Sequence, residues 1–339
     1  MTKTPRVVYT DPAWSVDHAD AFNPDLAVIE REVFGDDIIL DFGPYDHGYR
    51  SGLPLLDAVR GADGLVIYRC QVTEELLAAA GPGCRVVARS GVGIDNLNAD
   101  LLRARGICGF NVPDYCGDEV STHTVALLLA LERQVSVQDR LVKSDAWGIY
   151  RGGTPRRTSS RVAGIVGFGR IGRATARKLQ PFYRQVLAYD PYVPADVPAA
   201  HGVGHVGRLA DLVAAADALV LHTALTPETE HIINDEVLAH AARGSILVNT
   251  ARGRLVDPAA VLDALERGQL GGFGSDVFSP ENPNASPVAR KLVQRDDVLV
   301  SSHRAFLSAE SELSLRRRVA TGVRSVLLDG VPPAQGVVA

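Results

Sequence analysis

The stretch Gly164-Ile165-Val166-Gly167-Phe168-Gly169-Arg170-Ile171-Gly172, an apolar run that breaks at spaced glycines, constrains this chain more than any other. Arg161 to Val166 reads as a buried parallel strand, and a helical pattern begins at Arg173 and runs to Leu179, so the glycines lie between strand and helix. A dinucleotide-binding turn needs that context. Gly167 permits the tight turn, Gly169 has no side chain to hold the backbone away from a pyrophosphate, and Gly172 lets the helix pack close to the strand. With 32 glycines in 339 residues the spacing alone would arise by chance about 0.3 times, so it needs support. That comes from Gln185 to Tyr189, which reads as the next strand and ends at Asp190, roughly 20 residues on, where a carboxylate binds the adenosine ribose and repels a 2′-phosphate. NAD is therefore expected over NADP, and a structural turn in an unrelated α/β sheet is the alternative.

Strand-like runs precede this turn at Arg6 to Thr10, Ile38 to Asp41, Gly64 to Tyr68, Arg85 to Arg89 and Ile107 to Phe110, with helix-like segments such as Thr73 to Ala80 between them. Others follow the Gln185 strand at Ala218 to His222, Ser245 to Asn249, Gly272 to Val277 and Val298 to Ser301. The alternation predicts parallel sheets, and so many strands in 339 residues predict two sheets and two cores rather than one. Between the sets lies the turn-rich Asn111 to Gly117, then an apolar helix over Asp118 to Arg133. Lys143 to Ser160, with Trp147, Pro155, Arg156 and Arg157, has no period and reads as an ordered arm. A C-terminal helix over Glu310 to Leu328 stops at Asp329-Gly330-Val331-Pro332-Pro333.

A formal net charge of -5 supplies no global field for nucleic acid or an anionic membrane surface, so neither is expected as a partner. The longest purely apolar run, Val125 to Leu131, is far short of the ~20 residues that span a bilayer. The N-terminus lacks the apolar core of a signal peptide, and Cys70, Cys84, Cys108 and Cys116 show no Cys-x-x-Cys spacing. A cytoplasmic protein with reduced cysteines and no metal site is the expectation.

Arg252, Glu281 and His303 each follow a strand of the second set, at the carboxyl edge where α/β sheets place ligands. A guanidinium suits a carboxylate, and imidazole titrates near pH ~6.5, where hydride transfer needs a proton moved. At this point the chain resembles the D-2-hydroxyacid dehydrogenases, the family that includes phosphoglycerate dehydrogenases and the C-terminal-binding-protein corepressors. The likeness covers almost the whole chain. It rests on Arg89-Ser90-Gly91-Val92-Gly93-Ile94-Asp95-Asn96, Asn111-Val112-Pro113, the glycine turn with Tyr189-Asp190-Pro191, and Leu221-His222-Thr223-Ala224-Leu225-Thr226. It rests further on Val248-Asn249-Thr250-Ala251-Arg252-Gly253, Asp276-Val277-Phe278 with Glu281, and His303.

The resemblance implies two Rossmann-like domains, a flavodoxin-like substrate domain (1–110 with 306–339) and a doubly wound NAD-binding domain (111–305), with a cleft between. It implies reversible reduction of a small 2-keto acid by NADH to a D-2-hydroxy acid in a homodimer. On that reading Arg252 holds the substrate's carboxylate and carbonyl oxygen, His303 is the acid/base, and Glu281 pairs with it. Ser90, Gly91, Val92 and Gly93 offer backbone N–H groups to the carboxylate, with Tyr68 and Arg69 also against the substrate. The cofactor is assigned to Val92, Gly167, Phe168, Gly169, Arg170, Ile171, Gly172, Asp190, His222, Thr223, Thr250, Ala251, Arg252, Asp276 and His303, Asp276 taking the nicotinamide carboxamide. The family's usual Thr-Pro before the catalytic histidine is here Ser301-Ser302, the proline after Glu281 is Asn282, and Ser159-Ser160-Arg161 replaces a common Leu-x-Gly. Ile67 stands where phosphoglycerate enzymes often carry arginine, which weakens 3-phosphoglycerate as substrate, although Arg69 and Arg304 offer cations for a second anionic group. An NAD(H)-sensing binding protein like the corepressors, or a reductase of a phosphonate- or phosphate-bearing keto acid, are the competing readings.

Overall fold

The computed structural model describes residues 3–15, 22–43 and 53–339. The chain forms two compact units, Met1–Tyr115 with Ser308–Ala339, and Cys116–Leu307.

In the first unit β1 (Arg6–Tyr9), β2 (Ile39–Phe42), β3 (Gly64–Ile67), β4 (Val86–Arg89) and β5 (Cys108–Phe110) form one parallel sheet in the order β2-β1-β3-β4-β5. Every residue of β3 and β4 is buried, which is why they read, up to the buried Arg89 that ends β4, as unbroken apolar or small runs rather than as alternating ones. This is the flavodoxin-like order, whose reversal between β1 and β3 leaves a crevice at their carboxyl ends. One face of the sheet packs Val66, Val86 and Ala88 against Val319, Val323 and Leu327, and the other packs Leu65, Ile67 and Val87 against Leu76 and Leu77. The C-terminal helix spans Ala309–Arg324 behind a Ser308/Ser311 capping box, and a π-helical turn, Ser325–Asp329, carries it to Gly330. Residues 111–115 pack with this unit: Asn111 N donates to Gly336 O at 3.0 Å and Asp114 pairs with Arg318 at 2.7 Å.

The second unit holds β6 (Val162–Val166), β7 (Gln185–Tyr189), β8 (Gly204–His205), β9 (Ala218–Leu221), β10 (Ser245–Asn249), β11 (Leu270–Ser275) and β12 (Val298–Val300). All neighbours are parallel, in the order β12-β11-β10-β9-β6-β7-β8. Counted from β6, that is the doubly wound order 3-2-1-4-5-6 with a seventh strand added, and the reversal falls between β6 and β9. Two parallel sheets on two cores agree with the sequence expectation.

The differences have physical causes. β8 is a two-residue edge strand with no apolar run to announce it. β11 stops at Ser275 rather than Val277, because the Asp276 carboxylate turns aside to bind the turn after β12. A helix at Val135–Lys143 stands before the expected arm, split from the helix Gly117–Glu132 by Gln134 at φ +54°. Residues 144–157 then run without helix or strand.

None of the four cysteines is in a disulfide, and burial pushes the Cys70 thiol up to about 12 and the Cys84 thiol up to about 11, so neither offers a thiolate near neutral pH. Among the described residues no helix is long and apolar enough to cross a membrane.

Candidate active site

Each glycine of the turn after β6 has its own reason. Gly167 sits at φ +92°, and a Cβ there would stand 2.6 Å from Thr223 N and 2.7 Å from the His222 carbonyl carbon. A Cβ on Gly172 would meet Gly167 O at 2.2 Å. Gly169 differs, because no protein atom lies within 4 Å of where its Cβ would be. Packing does not require glycine at 169, so the open space fits a group from outside the chain. The helix Arg170–Leu179 starts there without a side-chain cap, which leaves its first N–H groups for an anion. A pyrophosphate fits this cradle.

Asp190 follows β7 and its carboxylate ties the turn together, Oδ2 accepting from Phe168 N at 2.8 Å and Oδ1 from Tyr192 N at 3.0 Å. Each oxygen keeps a lone pair for a ribose hydroxyl. Across the reversal, His222 follows β9 and its Nε2 lies 2.8 Å from Thr175 Oγ1 on the glycine-capped helix. Burial pushes its pKa down to about 3, so the ring is neutral wherever the protein works and cannot serve as the acid. The consequence for stability is a loss as pH falls, since below pH ~6.5 the unfolded chain takes up a proton that the folded chain refuses. Between pH 7 and 5 this removes about 2 kcal/mol. Urea unfolding at both pH values should show that loss diminished in His222→Gln, and equal losses in parent and variant would refute it.

The three residues singled out for chemistry follow three adjacent strands. Asn249 pairs with Ser275 and Ser275 with Val300, so Arg252, Glu281 and His303 all extend from one carboxyl edge of β10, β11 and β12. His303 Nδ1 is 2.9 Å from Glu281 Oε1, both side chains about four-fifths buried. Arg252 is half-buried, with Nη1 donating to Ala251 O at 2.8 Å, while Asn249 Nδ2 donates to Arg252 O at 2.8 Å and holds its backbone. Thr250, buried, bonds Thr124 Oγ1 at 2.7 Å.

His303 adopts φ +53°, a left-handed conformation that costs a side-chain-bearing residue about 1–2 kcal/mol. Asp276, 1% exposed, holds it there: its carbonyl accepts from His303 N at 2.7 Å, Oδ1 from Arg304 N at 3.0 Å and Oδ2 from Ala305 N at 2.8 Å. Ser301 Oγ adds a 2.5 Å bond to Asp276 Oδ1. The Arg304 side chain is exposed. Sequence reasoning missed Ser301 and its partner His123, whose Nε2 is 2.8 Å away. The signal for His123 was a titratable side chain directly before the apolar run Val125 to Leu131.

In the first unit Tyr68, Arg69 and the Ser90–Gly93 turn lie at the carboxyl ends of β3 and β4. Asp11 Oδ1 accepts from Tyr68 N at 2.8 Å, and its Oδ2 from Arg69 N and, at 2.9 Å, Cys70 N, so one buried carboxylate shapes the 68–70 turn. Ser90 N donates to Ile67 O at 2.8 Å, and Asn111 Nδ2 to Val92 O at 2.5 Å. Ile67 is fully buried and faces the core. The cations gather one turn further on, with the Arg69 and Arg89 guanidinium carbons 5.3 and 5.5 Å from the Tyr68 ring centre. A side chain on Gly91 would run into the Arg89 guanidinium. Arg89 was read from the sequence as a strand end and as part of the motif behind the resemblance, not as a site residue, and its packing against Gly91 explains why glycine follows two positions later.

With this geometry the comparisons with known proteins agree. Residues 125–305 match the family model described as D-isomer specific 2-hydroxyacid dehydrogenase, NAD binding domain. The chain is 36% identical over 291 residues to D-3-phosphoglycerate dehydrogenase of Mycobacterium tuberculosis, covering 84% of this chain and 53% of that one. It is 33% identical over 282 residues to glyoxylate reductase of Korarchaeum cryptofilum, covering 82% and 84%. D-Lactate dehydrogenase of Aquifex aeolicus, solved with NAD and lactic acid, superposes with a TM-score of 0.82 at 26% identity over 96% of each chain. The chain belongs to the D-isomer-specific 2-hydroxyacid dehydrogenase family. It carries that family's NAD-binding domain, and its cofactor is NAD; it spans about half the length of the phosphoglycerate dehydrogenase relatives it matches.

Proposed function

We propose that this chain is an NAD-dependent D-2-hydroxyacid dehydrogenase that interconverts a small 2-keto acid and its D-2-hydroxy acid, with His303 as the acid/base. The observation that carries the reading is the 2.9 Å His303–Glu281 pair at the carboxyl edge of the NAD-binding sheet. Bound NADH supplies the hydride. Glu281, as a carboxylate, only accepts, so Nδ1 of His303 carries the proton and Nε2 is left for proton transfer. In reduction the doubly protonated ring gives its Nε2 proton to the carbonyl oxygen, and in oxidation the neutral ring takes the hydroxyl proton. The Arg252 guanidinium binds the substrate carboxylate and polarises the carbonyl oxygen. Asp276 has already spent three acceptor sites on Ser301, Arg304 and Ala305, which leaves it one for the nicotinamide carboxamide.

Stacked Arg69 and Arg89 favour a second reading of the substrate, a keto acid with an additional phosphate, phosphonate or carboxylate, which fits the name of the phosphoglycerate dehydrogenase relatives. NADH oxidation at 340 nm against glyoxylate, pyruvate, hydroxypyruvate, phenylpyruvate, oxaloacetate and phosphonopyruvate decides. Turnover of the doubly anionic members above the others supports this second reading. Tight NADH binding without turnover of any member refutes the enzyme and supports an NAD(H)-sensing binding protein.

The arm over 144–157 exposes Trp147, Ile149 and Tyr150 by 81%, 88% and 84%, an apolar cluster that single chains rarely leave in water. A second copy of the chain covers it. Sedimentation of the full chain at the mass of one copy would count against the dimer.

A further inference from the structure

Two contacts join the helix Gly117–Glu132 to the turns that carry the proposed chemistry. Thr124 bonds Thr250, two residues before Arg252, and His123 bonds Ser301, two residues before His303. The second contact does more than pack.

Asp276 carries a carboxylate that can only accept, so the 2.5 Å bond between its Oδ1 and Ser301 Oγ consumes the one proton of the serine hydroxyl. Ser301 Oγ is then an acceptor toward His123, and the 2.8 Å contact requires a proton on His123 Nε2. The proton count thus gives the tautomer: His123 donates to Ser301, Ser301 donates to Asp276, and Asp276 accepts the Arg304 and Ala305 amides that close the left-handed turn at His303. A chain of bonds that ends on a carboxylate strengthens each member. Without the His123 donor the hydroxyl loses one of its two anchors and the polarisation that strengthens its bond to Asp276. That bond weakens, and the strained turn loses part of what offsets its cost.

We propose that His123 is a positioning residue for the reaction, acting through Ser301 and Asp276 to hold the turn that aims His303. This rests on the reading of His303 as the acid/base.

The test is made on the full chain with NADH and the most active keto acid of the panel. His123→Phe, which fills the site without an N–H, should lower kcat about tenfold while the NADH Kd, read by fluorescence, stays within about twofold. His123→Gln, whose amide can still donate to Ser301, should recover at least half of the logarithmic loss. Ser301→Ala should match His123→Phe, Ser301→Thr should keep parental kcat, and the double variant His123→Phe/Ser301→Ala should be no worse than either single one. In 1H–15N spectra a protected ring N–H of His123 should be present in the parent and absent in Ser301→Ala. If His123→Phe does not fold, the two Ser301 variants and the spectrum read the same link. A kcat of His123→Phe or Ser301→Ala within twofold of the parent, multiplying losses in the double variant, or no protected ring N–H overturns the proposal. His303→Ala separates the two levels: if its turnover collapses while the His123 and Ser301 variants are unchanged, only the positioning role falls. If His303→Ala turns over normally, or no panel member is turned over, the reading beneath it falls as well.

Discussion

His303→Ala is expected to lower kcat by about 10²–10⁴-fold while leaving the NADH Kd within about twofold of the parent. The size follows from what is removed. A proton must reach the carbonyl oxygen as hydride reaches the carbon, and in the variant only water supplies it. The small effect on NADH follows from the proposed separation of roles, in which the glycine turn and Asp190, after β6 and β7, would take the pyrophosphate and ribose. Glu281→Gln keeps a hydrogen bond to Nδ1 and so holds the ring in place, and it should therefore cost less than His303→Ala. Stopped-flow or steady-state NADH oxidation across pH 5 to 9 separates the two. A His303→Ala kcat within threefold of the parent removes the imidazole from the mechanism.

Much of this site was legible because its chemistry sits at strand ends, and buried parallel strands are the part of such a sequence that periodicity reads best. β7 and β10 were placed to the residue, and Asp190 and Arg252 were located by counting from them. What was illegible depends on tertiary hydrogen bonds. Val277 completes an apolar run and argues for a longer β11, but the bonds made by the Asp276 carboxylate outweigh that local pattern. No pattern announces Gln134 or His303 at positive φ, so neither the break between the helices ending at Glu132 and beginning at Val135 nor the shape of the turn at His303 is legible in the sequence. Ser301, which departs from the family's threonine, keeps the hydroxyl that Asp276 uses, so that change is conservative at the atom that matters. Ser302 is exposed. The argument from Ile67 against a phosphorylated substrate loses force, because that side chain is buried in the core and the cations stand at Arg69 and Arg89.

Arg161→Leu should be among the most destabilising single changes in the second unit, by about 3–5 kcal/mol. Arg161, at the entry to β6, is held in a buried set of polar contacts. The guanidinium is 5% exposed, Nη1 lies 2.5 Å from Glu132 Oε2, and Nη2 donates to Asp217 O at 2.8 Å. Tyr183 OH completes the set with a 2.8 Å bond to Glu132 Oε1. Burial raises the Glu132 pKa even with the guanidinium beside it, so removing Arg161 leaves a carboxyl with desolvation unopposed. The sign follows from linkage. An acid whose folded pKa lies above its unfolded value contributes stability below the unfolded pKa and loses it as pH rises through the folded one. The variant's deficit should therefore be largest at neutral and alkaline pH and shrink toward pH 5. For a unit of this size the melting temperature should fall by about 6–20 °C at pH 8. Arg161→Leu/Glu132→Leu should recover more than half of that, because the cost lies in the stranded charge rather than in the missing salt bridge. A melting temperature within 2 °C of the parent for Arg161→Leu would mean that water reaches Glu132 and that the pair is not buried as its 5% and 0% exposures imply.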